Sequence, residues 1–157
     1  MLLSGQTTLY TADFNTSTPD WDLNTTDLGS TTGGDNTWVI NSDYAGFIII
    51  PATPNQPAAI TGSPQSGYLH ITSGTFGATN ANFLAPANGN VFAKMNTGIN
   101  TTGASNVEIS FWYLCNGGGP NYVGRLYYST DGGNNWVLGD TYSGVSNWTQ
   151  TTFSDPV

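Results

Sequence analysis

Positive charge is almost missing from this chain: of 157 residues only Lys94 and Arg125 are basic, against ten acidic residues, a formal net charge of −8. Nucleic-acid binding draws its affinity from Lys and Arg displacing counterions, so that class of partner is excluded, together with attraction to anionic membrane surfaces. A single cysteine, Cys115, rules out an internal disulfide and argues against the small stapled domains of animal secretions. One histidine and one cysteine cannot complete a tetrahedral zinc site. Apolar runs such as Gly46-Phe-Ile-Ile-Ile50 are far too short to span a bilayer. Met1-Leu-Leu-Ser-Gly5 lacks the basic region and apolar length of a signal peptide, so any export signal is expected to lie outside this sequence. An apolar helical period never persists over three turns, and helix should be nearly absent.

What is present is aromatic and polar but uncharged: 13% aromatic residues with only 8% charged. A surface built from Thr, Ser, Asn and Gly in place of Lys and Glu points outside the cytoplasm, to a bacterial cell surface or secreted protein. The length suits one domain, residues 1–157, hiding about 70% of the surface its unfolded chain exposes.

Strand and turn signals are densest from Val107 to Trp136. Val107, Ile109, Phe111, Tyr113 and Cys115 fall on one face of an extended chain, which predicts a strand with one buried face and Cys115 as a small core side chain. The Asn116-Gly-Gly-Gly-Pro120 stretch reverses the chain into a second strand, Val123 to Thr130, expected to neighbour the first. A returning strand begins at Trp136. Elsewhere Thr7 to Phe14, Trp38 to Ile40, Gly67 to Thr72, Val91 to Met95 and Trp148 to Phe153 read as strands, and Ala45 to Ile50 as an apolar segment stopped by Pro51 and Pro54. Asn55 to Ser66 and Phe83 to Asn90 read as loops. Short strands at this spacing imply an all-β, two-sheet antiparallel sandwich, most naturally of jelly-roll connectivity.

The octapeptide Ser129 to Trp136 resembles the Asp-box, a hairpin of sialidases and many secreted β proteins, with Ser129, Asp131, Gly133 and Trp136 at its fixed positions. The resemblance implies a structural turn and no activity, since a sialidase would need several boxes and three arginines. More widely, Ala12-Asp-Phe14, Trp21, Trp38, Gly67-Tyr-Leu-His-Ile71, Ile109-Ser-Phe-Trp-Tyr113 and Leu126-Tyr-Tyr128 resemble the MAM-type jelly roll. The pattern is most like the cleaved-adhesin-like modules on surface and secreted proteins of Bacteroidetes. That resemblance implies a non-catalytic adhesion module, part of a larger multidomain protein and frequently calcium-stabilised. Two departures stand out: Asn15 replaces an expected Glu, and the family's last long strand is absent before Val157. The expected partner is therefore the rest of a larger surface protein, or another chain, filling a vacant strand edge by β-augmentation.

For calcium, a hard ion taking six to eight oxygens, the candidates are Asp13, Asn15, Asp35 and Asp43, with a solvated acidic loop as the plain alternative. Ser-His-Asp chemistry would rest entirely on His70, which reads instead as a surface or packing residue. Glu108, Asp131 and Asp140 are the only carboxylates considered for a glycoside hydrolase, the least favoured reading. The main alternative to an adhesion module is a carbohydrate-binding module attached to an enzyme, with Trp21, Tyr44, Tyr122, Tyr142 and Trp148 as stacking candidates. Tyr122, in the glycine-rich loop beside Asn121, is the best of these for binding glycans.

Overall fold

The computed structural model describes residues 5–15, 20–29, 35–74, 80–83, 91–117 and 119–154. The expected turn after Asn15, most of the 83–90 loop, Gly118 and both chain ends lie wholly or partly outside them. The described chain is all-β. Its strands are β1 (Trp21–Thr25), β2 (Asn36–Asn41), β3 (Tyr68–Ser73), β4 (Phe92–Met95), β5 (Glu108–Cys115), β6 (Gly124–Tyr128), β7 (Val137–Tyr142) and β8 (Val145–Ser154). A 3-10 turn spans Asp27–Gly29.

All pairing is antiparallel and two-stranded: β1 with β4, β2 with β3, β5 with β8, and β6 with β7. The expectation that β5 and β6 are neighbours is corrected here. Gly117 packs so tightly on Tyr122 that an added Cβ would lie 2.4 Å from the tyrosine Cβ, and Gly117 O accepts the Gly144 N–H at 2.7 Å. The glycine-rich loop is thereby tied to the β7–β8 turn, and the ladder position beside β5 is taken by β8. That strand runs to ten residues, longer than the Trp148 to Phe153 segment expected from sequence.

The β5–β8 pair meets the β6–β7 pair through the face that carries Phe111 and Tyr113. Phe111 and Tyr113 lie 5.4 and 4.7 Å from the Tyr142 ring, and Tyr128 lies 5.8 Å from Phe153. Gly139 has no side chain because Phe153 occupies the space: a Cβ there would sit 2.9 Å from the ring. Cys115 on this strand is half-buried, its Sγ 3.9 Å from Tyr122 O.

On β3 the inward face is Tyr68, His70 and Thr72, all buried, while Leu69 and Ile71 are only half-buried. Reading His70 as a surface or packing residue resolves in favour of packing. The cause is hydrogen bonding: His70 Nε2 faces Asn41 Oδ1 at 2.9 Å and Nδ1 faces Ile71 O at 3.1 Å, with Tyr68 stacked 4.4 Å away. Polar side chains enter a core when their hydrogen bonds are made there. Accordingly the buried apolar residues among those described are three tyrosines, Tyr44, Tyr68 and Tyr142, and the largest fully buried side chains are Asn36, Asn80 and Ser73.

One further expectation is corrected. Residues 7–14 form no strand: Asp13 Oδ1 accepts the Asn15 N–H in a local turn, and Phe14 takes a φ of 55°. Asn15 then docks this segment against the 61–67 loop, its Oδ1 accepting Gly67 N–H at 3.0 Å. The apolar segment 45–50 closes into a tight turn, described next.

Candidate functional site

Phe47 and Ile50 exchange both backbone hydrogen bonds, N–H to O at 2.9 and 2.8 Å, leaving Ile48 and Ile49 as the two residues of a reversal. Ile48 has a φ of 50°, the left-handed region that a β-branched side chain adopts only under constraint. The constraint comes from below. Asp43 Oδ1 accepts the Ala45 N–H, Tyr44 O accepts the Thr53 N–H, and the Tyr44 hydroxyl donates to Ser66 O at 2.9 Å. Tyr44 also packs on Tyr68 at 4.9 Å, and burial pushes its hydroxyl pKa up to about 12. Gly46 lies against the returning chain, so that a Cβ would be 2.5 Å from Ile50 O. On this anchored base Ile48 is 88% and Ile49 75% exposed, with Phe47 beside them at 39%.

The second exposed apolar feature is the loop after β5. Tyr122 is 41% exposed and meets Phe83 edge-on at 6.1 Å. The other proposed stacking residues are less exposed. Tyr44 and Tyr142 are buried; Trp21 is half-buried, its indole N–H donating to the Tyr10 hydroxyl at 3.2 Å. Trp148 is half-buried with its N–H donating to Pro54 O and its ring edge-on to Tyr68 at 5.8 Å.

The β6–β7 turn is held by Ser129 and Asp131. Ser129 Oγ donates to Asp131 Oδ1 and accepts the Gly133 N–H, both at 2.8 Å. Asp131 Oδ1 accepts the Asn135 N–H at 2.9 Å and Oδ2 accepts its side-chain amide at 2.6 Å, which together with Ser129 hold the carboxyl pKa down to about 2. Gly132 and Gly133 take the positive φ values, 72° and 87°, and the Trp136 ring lies in van der Waals range of Gly133.

Of the calcium candidates, Asp13 and Asn15 sit at the 61–67 loop, Asp35 where its carbonyl accepts the Gly74 N–H, and Asp43 under the isoleucine turn. Asn15 spends its side-chain oxygen on Gly67 and its amide on Thr61 O. Among the described residues no group of three or more His, Cys, Asp or Glu comes together. Glu108 accepts from Gln6 and Ser154, and Asp140 from the Thr141 N–H. The Ile48–Ile49 turn and Phe83 escaped sequence reasoning as surface features. The signal for the first was there, an apolar run bracketed by Gly46 and Pro51 and too short for a core strand. No family model matches this chain, and neither a curated protein nor a solved structure does.

Proposed function

We propose that this chain is a non-catalytic adhesion module, a jelly-roll β-sandwich that binds on behalf of a larger secreted or surface-anchored bacterial protein. The observation that carries the reading is the isoleucine turn: a strained β-branched residue held with its side chain in water, where it adds nothing to folding. Strain that the surroundings enforce, on a residue that folding does not need there, is explained by contact with something outside the chain. Residues 44–53 carry no charge, so docking into an apolar cleft of a partner protein desolvates no ion. His70, buried with both ring nitrogens engaged, supports a module without acid–base chemistry. Among the described residues each strand is paired on one side only, β5 and β8 being the longest, which suits the addition of a strand from the rest of the parent protein or from another chain.

The test is retention of beads coated with the purified chain on extracellular-matrix proteins and on cell layers, against beads coated with an unrelated β-sandwich. The reading expects selective retention. Equal retention of both bead types would refute it. A second reading, a carbohydrate-binding module attached to an enzyme, is favoured by the exposed Tyr122 beside Phe83.

A further inference from the structure

We infer that the cavity at the end of the β1–β4 ladder is a subsite for a neutral pyranose sugar; this rests on the carbohydrate-binding reading and moves its site away from Tyr122. The cavity has a volume of about 360 Å³ and is lined by Leu9, Tyr10, Asp20, Met95, Ile99 and Asn100, with Thr97 and Gly98. Three segments build it: Leu9 and Tyr10, Asp20, and the distant stretch from Met95 to Asn100. The ladder ends at the Trp21–Met95 pair, and one residue beyond, Asn96 N–H donates to Asp20 O at 2.9 Å, which keeps Asp20 beside the 95–100 segment. Trp21 fixes Tyr10 from the other side through its indole N–H, and is itself held edge-on by Phe14 at 5.6 Å. The far wall is set by Asn100, whose Oδ1 accepts the Thr102 N–H at 3.0 Å, leaving its amide nitrogen to donate elsewhere.

The chemistry of this lining is two-sided, as a sugar is. A pyranose ring offers one C–H face and a rim of hydroxyls. Leu9 and Ile99, 48% and 41% exposed, with Met95 and Tyr10, supply the apolar surface for the first. Asp20 and Asn100, both exposed, supply the second: a carboxylate accepts hydrogen bonds from sugar hydroxyls, and the Asn100 amide donates them. The Tyr10 oxygen, already accepting from Trp21, keeps its proton to donate. The competing ligand classes fit less of the lining. An anion meets Asp20 and a net charge of −8. A flat apolar molecule would cover Asp20 without replacing its water. An amine would gain one exposed ion pair, worth little, and leave the apolar wall unused.

The experiment is a ¹H–¹⁵N NMR titration of the chain with the methyl glycosides of glucose, galactose, mannose and N-acetylglucosamine, and with butylammonium. The expected result is saturable shifts of the Gly98, Ile99 and Asn100 amides with at least one glycoside. Asp20→Asn should weaken that binding by about tenfold with the rest of the spectrum unchanged, and Ile99→Ala should weaken it as well. Glycoside binding abolished by Tyr122→Ala and indifferent to Asp20→Asn would overturn the cavity and leave the carbohydrate reading standing. Shifts with butylammonium alone would assign the cavity to cations and overturn the inference. No shifts with any glycoside up to its solubility limit would remove both the inference and the reading beneath it.

Discussion

Between β6 and β7 the chain reverses through Ser129 to Trp136; under the Tyr44–Thr53 closure it reverses through Phe47 to Ile50. Both reversals need a left-handed backbone. The first assigns it to Gly132 and Gly133 and ties the turn with Ser129 and Asp131, so each local requirement is met by the residue best suited to it. The second assigns it to Ile48 and leaves two isoleucines in water. One turn is shaped for stability. The other leaves a β-branched residue strained and exposed, as the proposed contact surface requires.

The comparison can be broken at either turn. The largest effect is expected from Gly46→Ala, whose Cβ would meet Ile50 O at 2.5 Å and Ala52 N at 2.7 Å, both backbone atoms that cannot step aside. A loss of about 3 kcal/mol, read by urea denaturation, is expected. Asp131→Ala should lower the Tm by several degrees, since three donors, the Ser129 hydroxyl and the Asn135 backbone and side-chain N–H groups, converge on that carboxylate. The same carboxylate gives a pH signature. Its folded pKa, about 2, is below the ordinary 3.8, so its contribution is complete above pH 3.8 and is lost as pH falls toward 2. Acid melting of Asp131→Asn should lack that component. Gly133→Ala places a side chain at a φ of 87° and should cost about 1 kcal/mol, the space near Trp136 being otherwise adequate. The smallest effect has the opposite sign: Ile48→Asn, which tolerates the left-handed region better, should raise stability by roughly 0.5–1 kcal/mol.

His70 offers a second pH handle on the core. Burial lowers its pKa below the ordinary 6.5, with the Ile71 carbonyl and the Asp43 charge opposing. The neutral ring is therefore the folded form, and its contribution, complete above pH 6.5, declines as pH falls below that value.

The all-β class was legible because glycine, proline and threonine interrupt every helical period, and seven of the eight strands, all but β1, fall on segments that read as strands in the chain. The β6–β7 reversal was legible for the reason given above: local demand and residue type agree. Pairing was not. Whether β5 lies beside β6 or β8 depends on Gly117 meeting Tyr122 and Gly144, contacts between residues whose spacing in sequence carries no periodic signal. The inward face of β3 was not legible either, because hydrophobicity assigns Leu69 and Ile71 to the core while hydrogen bonds to Asn41 and Ile71 O carry His70 inward. The isoleucine turn read only as an apolar segment stopped by Pro51 and Pro54, and nothing in that pattern says which way its side chains face. The cavity joins segments about ninety residues apart and has no sequence signature at all.

The most direct test measures stability and binding together on Ile48→Asn, alone and combined with Ile49→Asn, using a protein surface that retains the wild-type chain. The account predicts that denaturation midpoints rise or hold while binding falls about tenfold. A variant that becomes less stable, or one that binds as the wild type does, would contradict it, because the exposed isoleucines would then serve the fold or serve nothing.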